Sequence, residues 1–248
     1  MNGDPATIAL LFGVLMVAGV VKGTIGFGLP LVAVSILMQF LSKEWALALM
    51  ILPVVLSNLF LGVEGRLFLP SLRRFWPAIV ALCVGIMLGA HSLGALPQEA
   101  FSMIIGLVVI GFALAEQFRL VLPVSPARER SVGVAAGLVG GLLGGVSTAF
   151  GPLLIMYLTA LRLDKAAFIA AIGAIWTFGS LALIVAFNRA GILVGERFAW
   201  SLAACLPVGI GLWVGSRLRG RIAQGPFRRL VTVALFLLGA NLIRRALT

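Results

Sequence analysis

The same glycine and proline punctuation interrupts apolar sequence twice, at a fixed offset of 122 residues. Gly19, Gly23 and Pro30 recur as Gly141, Gly145 and Pro152, and Leu41 and Lys43 recur as Leu163 and Lys165. The first stretch reads Gly19-Val20-Val21-Lys22-Gly23-Thr24-Ile25-Gly26-Phe27-Gly28-Leu29-Pro30. The second reads Gly141-Leu142-Leu143-Gly144-Gly145-Val146-Ser147-Thr148-Ala149-Phe150-Gly151-Pro152. Such an echo requires two related halves. In a membrane protein, a matched pair of Gly/Pro-broken apolar segments is the best sequence pointer to a transporter's binding site.

The surrounding sequence leaves only the bilayer as solvent. Of 248 residues, 61% are hydrophobic and 11% charged, with a mean hydropathy of +1.16. Soluble domains are roughly 45–50% apolar and about 25% charged. Apolar runs cover 6–22, 29–41, 44–62, 75–96, 99–116, 131–145, 150–161, 166–187, 198–216 and 230–243. A helix crossing the hydrocarbon core needs about 20 residues. The third, fourth, fifth, eighth and ninth runs approach that length, and the tenth reaches it if its flanking arginines snorkel. The first two runs of each half are short and are joined at the glycine-rich break, as a re-entrant hairpin or as two short tilted spans. The net charge of +11 sits in short loops, where it sets topology and meets anionic lipid; it is no nucleic-acid footprint. The start, Met1-Asn2-Gly3-Asp4-Pro5, lacks the basic region of a cleavable signal.

Positive charge fixes the orientation. With five segments per half, one side carries thirteen cations: Arg66, Arg73, Arg74, Arg119, Arg128, Arg130, Arg162, Lys165, Arg217, Arg219, Arg221, Arg228 and Arg229. The other carries five: Lys43, Arg189, Arg197, Arg244 and Arg245. Four segments per half would split the same eighteen charges ten to eight. The positive-inside rule favours the first arrangement. The expected fold is an all-α polytopic membrane protein of two inverted repeats, about five segments each, at 1–117 and 131–248. A cytoplasmic linker, 118–130, joins them, and both termini lie on the non-cytoplasmic side. Gly85 and Gly89 match Gly211 and Gly215, and Gly111 matches Gly239. These pairs read as helix-packing faces.

The breaks carry the chemistry. Irregular backbone at membrane depth survives only when buried in protein or lining a wet cavity. Pro30 and Pro152 suit the first turn of a returning half-helix, where a missing N–H costs nothing. Helix starts carry free amides and partial positive charge, which suit an anion. Glycines let backbone approach a ligand closely. The candidate binding residues are therefore Lys22, Gly23, Thr24, Gly26, Phe27, Gly28 and Pro30 in the first half. In the second they are Gly145, Ser147, Thr148, Phe150, Gly151 and Pro152. Lys22 is the one cation inside a span, where ionisable groups are costly and usually functional. Asn58, which shares the offset with Ser180, and Trp176 and Thr177 are further candidates for the cavity wall. An interhelical hydrogen bond is the competing reading for Asn58. Ser42 and Asp164 read as N-caps. Glu64, Glu116, His91 and Ser92 fall at run ends.

Cys83 and Cys205 lie in apolar runs without metal-ligand spacing, and His91 is the single histidine, so no metal site or cofactor is expected. Nucleophile elbows, paired carboxylates and phosphate-loop signatures are absent, which excludes the common enzyme classes.

With these residues in view, the chain resembles the TauE/SafE family, the sulfite-exporter or toluene-sulfonate-uptake permeases. The resemblance rests on Val21 to Pro30, on its echo from Gly140 to Pro152, on the size and on the two-fold repeat. It implies secondary transport of a small sulfur-containing anion across a bacterial inner membrane: sulfite, thiosulfate or an organosulfonate such as sulfoacetate. The half-helix starts at the repeat interface would hold the anion during alternating access, with a proton or Na⁺ as coupling ion. The competing classes are an anion or small-solute channel, and a cation-coordinating transporter that uses unwound carbonyls.

Overall fold

A computed structural model of the chain describes residues 4–62, 67–118 and 124–247. Every regular element among them is helical. The order is α1 (Pro5–Ile25), α2 (Leu29–Leu37), α3 (Lys43–Gly62), α4 (Phe68–Ser92), α5 (Gln98–Phe118), α6 (Glu129–Ser147), α7 (Gly151–Ala160), α8 (Lys165–Arg189), α9 (Glu196–Leu218) and α10 (Gln224–Leu247). Short 3₁₀ turns at Leu93–Ala95 and Pro126–Arg128 follow α4 and precede α6. Glu64, Arg66, Arg119, part of the expected linker and the side chain of Glu116 lie outside the described residues.

Among the described residues, seven helices are long and apolar enough to cross a membrane: α1, α4, α5, α6, α8, α9 and α10. The chain is a multi-pass membrane protein. In α2 and α7, nine and ten residues rise only about 15 Å, half the hydrocarbon thickness. One expectation needs correction. The first member of each broken pair is not short: α1 has 21 residues and α6 has 19. Each outruns its apolar stretch because polar and charged residues join the helix ends. Lys22, Gly23 and Thr24 form the last turns of α1, and Glu129 opens α6. The irregular backbone shrinks to Gly26-Phe27-Gly28 and Thr148-Ala149-Phe150.

Contacts divide the chain into two units that do not follow the two halves of the sequence. One comprises Met1–Pro53, Pro97–Phe118 and Val194–Thr248; the other comprises Val54–Leu96 and Arg119–Leu193. In the first unit α1 packs along α9, α5 packs along α10, and α2 lies against α1, α5 and α10. Within the second, α4 packs along α6 and α8, and α7 rests on α6 and α8.

Glycine faces make the closest crossings. In the first unit Gly19 and Gly23 of α1 meet Gly211 and Gly215 of α9. A Cβ on Gly19 would stand 2.6 Å from the Val208 carbonyl oxygen, and one on Gly23 2.5 Å from that of Leu212. In the second unit Gly85 and Gly89 of α4 meet Gly141 and Gly145 of α6. Small residues four apart let two backbones touch, which supplies packing where lipid offers no hydrophobic drive. The α5–α10 contact uses Gly106 against Gly239, 2.8 Å from a Cβ on Gly106 to the Gly239 carbonyl oxygen. Gly111, matched to Gly239 in sequence, has nothing within 4 Å of its missing Cβ. Asp164 caps α8, its Oδ1 accepting the Ala167 N–H at 2.8 Å. Ser42 serves α3 through its backbone, its carbonyl accepting the Ala46 N–H at 3.0 Å.

Candidate functional site

The first break follows from two glycines in the left-handed region. α1 ends where Gly26 takes φ +99°, and its N–H returns to the Lys22 carbonyl at 2.7 Å. That is the glycine C-cap, which an L side chain enters only with strain. Gly28, at φ +93°, opens α2, with Pro30 in the first turn. Nothing lies within 4 Å of a Cβ on Gly26, so the backbone angle alone demands glycine there.

Around this turn Lys22 is buried, 6% exposed. The Thr24 hydroxyl donates to the Val20 carbonyl at 2.8 Å, with the Gly215 carbonyl 3.3 Å away. Phe27 packs edge-on against Phe112, centroids 5.6 Å apart. The Arg228 guanidinium lies 5.7 Å from the Phe27 ring centre, a cation–π distance. Gly23 faces the α9 crossing, so its missing side chain serves close packing there.

Arg219, placed by the sequence in a topology-setting loop, is structural at this break. Its Nη2 donates to the Gly23 carbonyl at 2.8 Å, and its Nε lies 3.1 and 3.2 Å from the carbonyls of Gly23 and Thr24. These are the carbonyls that a helix C-terminus leaves without acceptor duty, and a cation there also suits the macrodipole. Arg219→Gln should lower the melting temperature of the purified protein, by about 1–2 kcal/mol of stability. An unchanged melt would show that water serves these carbonyls equally well.

The second break uses a threonine where the first uses glycine. Thr148 adopts φ +63° as the C-cap of α6, its N–H donating to the Gly144 carbonyl at 2.7 Å. Ser147 and Thr148 are buried, 3% and 1% exposed. Their hydroxyl protons are engaged within the break. Ser147 Oγ donates to the Leu143 carbonyl at 2.7 Å and accepts the Ala149 N–H at 3.2 Å; Thr148 Oγ1 donates to the Ser147 carbonyl at 2.6 Å. The backbone amides at the start of α7 have no acceptor within their own helix. Pro152 sits in the first turn.

Aromatic packing holds this start in place. Phe150 is buried with its Cβ and backbone against Gly144 and its ring against Gly179, and the ring stands edge-on to Trp176, centroids 5.5 Å apart. Trp176 also covers Gly151, where an added Cβ would stand 3.0 Å from the indole Cζ2. Thus Ser147, Thr148, Phe150, Gly151, Pro152 and Trp176 gather at one helix start, while Gly145 turns to the α4 crossing. Asn58 Nδ2 donates to Ser180 Oγ at 3.1 Å, a buried interhelical bond. The Thr177 hydroxyl turns back to the Gly173 carbonyl at 2.8 Å within α8. The first break lies wholly in the first unit and the second break wholly in the second. Among the described residues, no three His, Cys, Asp or Glu side chains are grouped to hold a metal ion.

The model of one protein family, described as Sulfite exporter TauE/SafE, matches residues 11–242. No curated protein and no solved structure matches the chain.

Proposed function

The chain belongs to the TauE/SafE sulfite exporter family, and on that premise we propose a secondary transporter that moves its anion by alternating access. Membership implies a membrane transporter of sulfur anions. The substrate we assign is a small one, sulfite or thiosulfate, or an organosulfonate such as sulfoacetate, coupled to a proton or Na⁺. In each unit the anion's oxygens meet the first amides of the returning half-helix, near Gly28 and Leu29 in one and near Gly151 and Leu153 in the other. Lys22 supplies full charge in the first unit, and Ser147 and Thr148 supply polar lining in the second.

The observation that carries this reading is the start of α7. A helix N-terminus opens within a buried polar turn, fixed by Phe150 and Trp176. Preorganised amides of this kind favour anions at no reorganisation cost. The competing cation reading would use the carbonyls at the end of α1. Those of Gly23 and Thr24 already receive the Arg219 guanidinium, which disfavours a metal ion or Na⁺ there.

The test is a melting series of the detergent-purified protein against sulfite, thiosulfate, sulfoacetate, taurine, sulfate, chloride, Na⁺ and Ni²⁺. A ligand that binds only the folded state raises its stability. We expect a concentration-dependent rise with a sulfur anion and none with chloride. A flat anion response beside a rise on Na⁺ or Ni²⁺ would replace this reading with the cation one.

The same proposal includes the topology: repeats 1–117 and 131–248 inverted in a bacterial inner membrane, the linker 118–130 cytoplasmic, both termini outside the cytoplasm. In a background with Cys83 and Cys205 replaced by alanine, Lys43→Cys should react with an impermeant thiol reagent in intact cells. Arg128→Cys should react only after permeabilisation. Labelling of both from one side contradicts the inversion.

A further inference from the structure

Trp176 carries a polar group that the packing of the second break does not use. It is the buried one of the chain's five tryptophans, 6% exposed. Trp76 and Trp213 are more than half exposed, and the Trp200 Nε1–H donates to Glu196 Oε1 at 3.0 Å. The Trp176 Nε1–H donates to no group among the described residues. A buried indole N–H ordinarily finds an acceptor. No sealed side-chain nitrogen or oxygen among the described residues lacks a hydrogen bond, so the small accessible share of Trp176 includes this nitrogen.

The ring is fixed, and its polar edge covers the start of α7. Phe150 stands edge-on to it at an interplanar angle of 67°. A Cβ on Gly151 would lie 3.0 Å from Cζ2 and 3.9 Å from Cε2. Nε1 is bonded to Cε2, so the N–H sits on the edge that faces Gly151. The Gly151 and Leu153 N–H groups open α7 with no acceptor in their own helix and none among the other described residues. Pro152, between them, has no N–H. All three residues are partly exposed, so a ligand can reach this helix start. Ser147 and Thr148 stand beside it, but their protons go to the Leu143 and Ser147 carbonyls. Of the side chains gathered here, Trp176 is the one with a proton left to give.

We propose that the Trp176 indole N–H is a direct substrate ligand, donating to one oxygen of the anion's sulfur-centred head while the Gly151 and Leu153 amides take the others. This rests on the anion reading above and adds a specificity determinant to it. All three groups are donors only, so they suit a head whose oxygens all accept. A sulfite or sulfonate head spreads its charge over three oxygens about one sulfur. Chloride offers a single atom and cannot meet the three donors separately. The packed ring holds its N–H in place before the anion arrives, so binding has little left to order there.

Nuclear magnetic resonance of the full chain in detergent, with its tryptophans labelled by ¹⁵N, tests this. Each of the five tryptophans gives one indole N–H signal, and Trp176→Phe identifies its own by removing it. Sulfite, and separately sulfoacetate, should move that signal downfield to saturation, with the midpoint of the rise in melting temperature. Chloride at the same concentration should not. Trp176→Phe keeps an aromatic ring and removes the donor, so the anion midpoint should weaken by roughly ten- to a hundredfold, whatever the variant's melting temperature without ligand. If Trp176→Phe does not fold, phenylalanine at the four more exposed tryptophans leaves the Trp176 signal alone in the spectrum, and the titration is read there. A sulfur anion that stabilises the protein without moving the Trp176 signal overturns this proposal and leaves the transport reading standing. So does a Trp176→Phe midpoint equal to the parent's. A melting temperature that no sulfur anion raises removes both.

Discussion

Gly145→Leu should abolish recovery of folded protein. A Cβ at Gly145 meets the Ile86 carbonyl oxygen, the Ala90 nitrogen at 2.7 Å and the Gly89 Cα at 2.9 Å. All three are backbone atoms of α4, so no side-chain rotation relieves the contact. Overpacking a core costs about 1–3 kcal/mol where side chains can yield; here two helices must separate along their main contact. The readouts are monodisperse yield in detergent and melting temperature. Gly111→Ala is the contrast: its Cβ enters open space, and replacing a helical glycine there should leave stability equal or raise it by about 0.5–1 kcal/mol. A Gly145→Leu protein that melts like the parent would refute the α4–α6 crossing. The experiment also separates two roles. Gly145 is a binding candidate by its place in the repeat, but its missing side chain is used at the crossing.

Lys22→Met should leave a folded protein that has lost most of its response to the sulfur anion. Methionine keeps an unbranched apolar stem at a site only 6% exposed and removes the ammonium. Hydrogen bonds to a charged group contribute about 1.5–3 kcal/mol, so affinity should fall by roughly ten- to a hundredfold. The check is the midpoint of the anion-dependent rise in melting temperature. Ser147→Ala should cost less, because the Ser147 hydroxyl proton already goes to the Leu143 carbonyl. An unaltered midpoint in Lys22→Met would remove Lys22 from the binding site while leaving the α7 amides as its basis. An unaltered midpoint in both variants would sink the side-chain assignments altogether.

Much of the helix pattern can be read from the chain because hydropathy and punctuation act locally. Apolar runs locate ten helices, and Pro30 and Pro152 mark the starts of α2 and α7 within a residue. The true ends of α1 and α6 are harder to see, because Lys22-Gly23-Thr24 looks like a break and is helical. Whether a glycine is needed for its dihedral or for its lack of bulk is also hidden in one dimension. Gly26 and Gly28 serve the turn, and Gly19, Gly23, Gly141 and Gly145 serve crossings. In sequence they belong to the same motif.

The sequence by itself determined an all-helical membrane chain, its family, the position of both breaks and the buried cation beside the first. Each follows from residue type over a few turns of chain. Only the tertiary structure decided what those residues touch. It paired the α1 glycines with α9 and the α6 glycines with α4, seated the Phe150 backbone against Gly144 and its ring against Gly179, and brought Arg219 to carbonyls 195 and 196 residues away. A glycine face carries no side chain to announce its partner. An arginine in a basic loop looks the same whether it sets topology or caps a helix, until packing places a carbonyl within its reach.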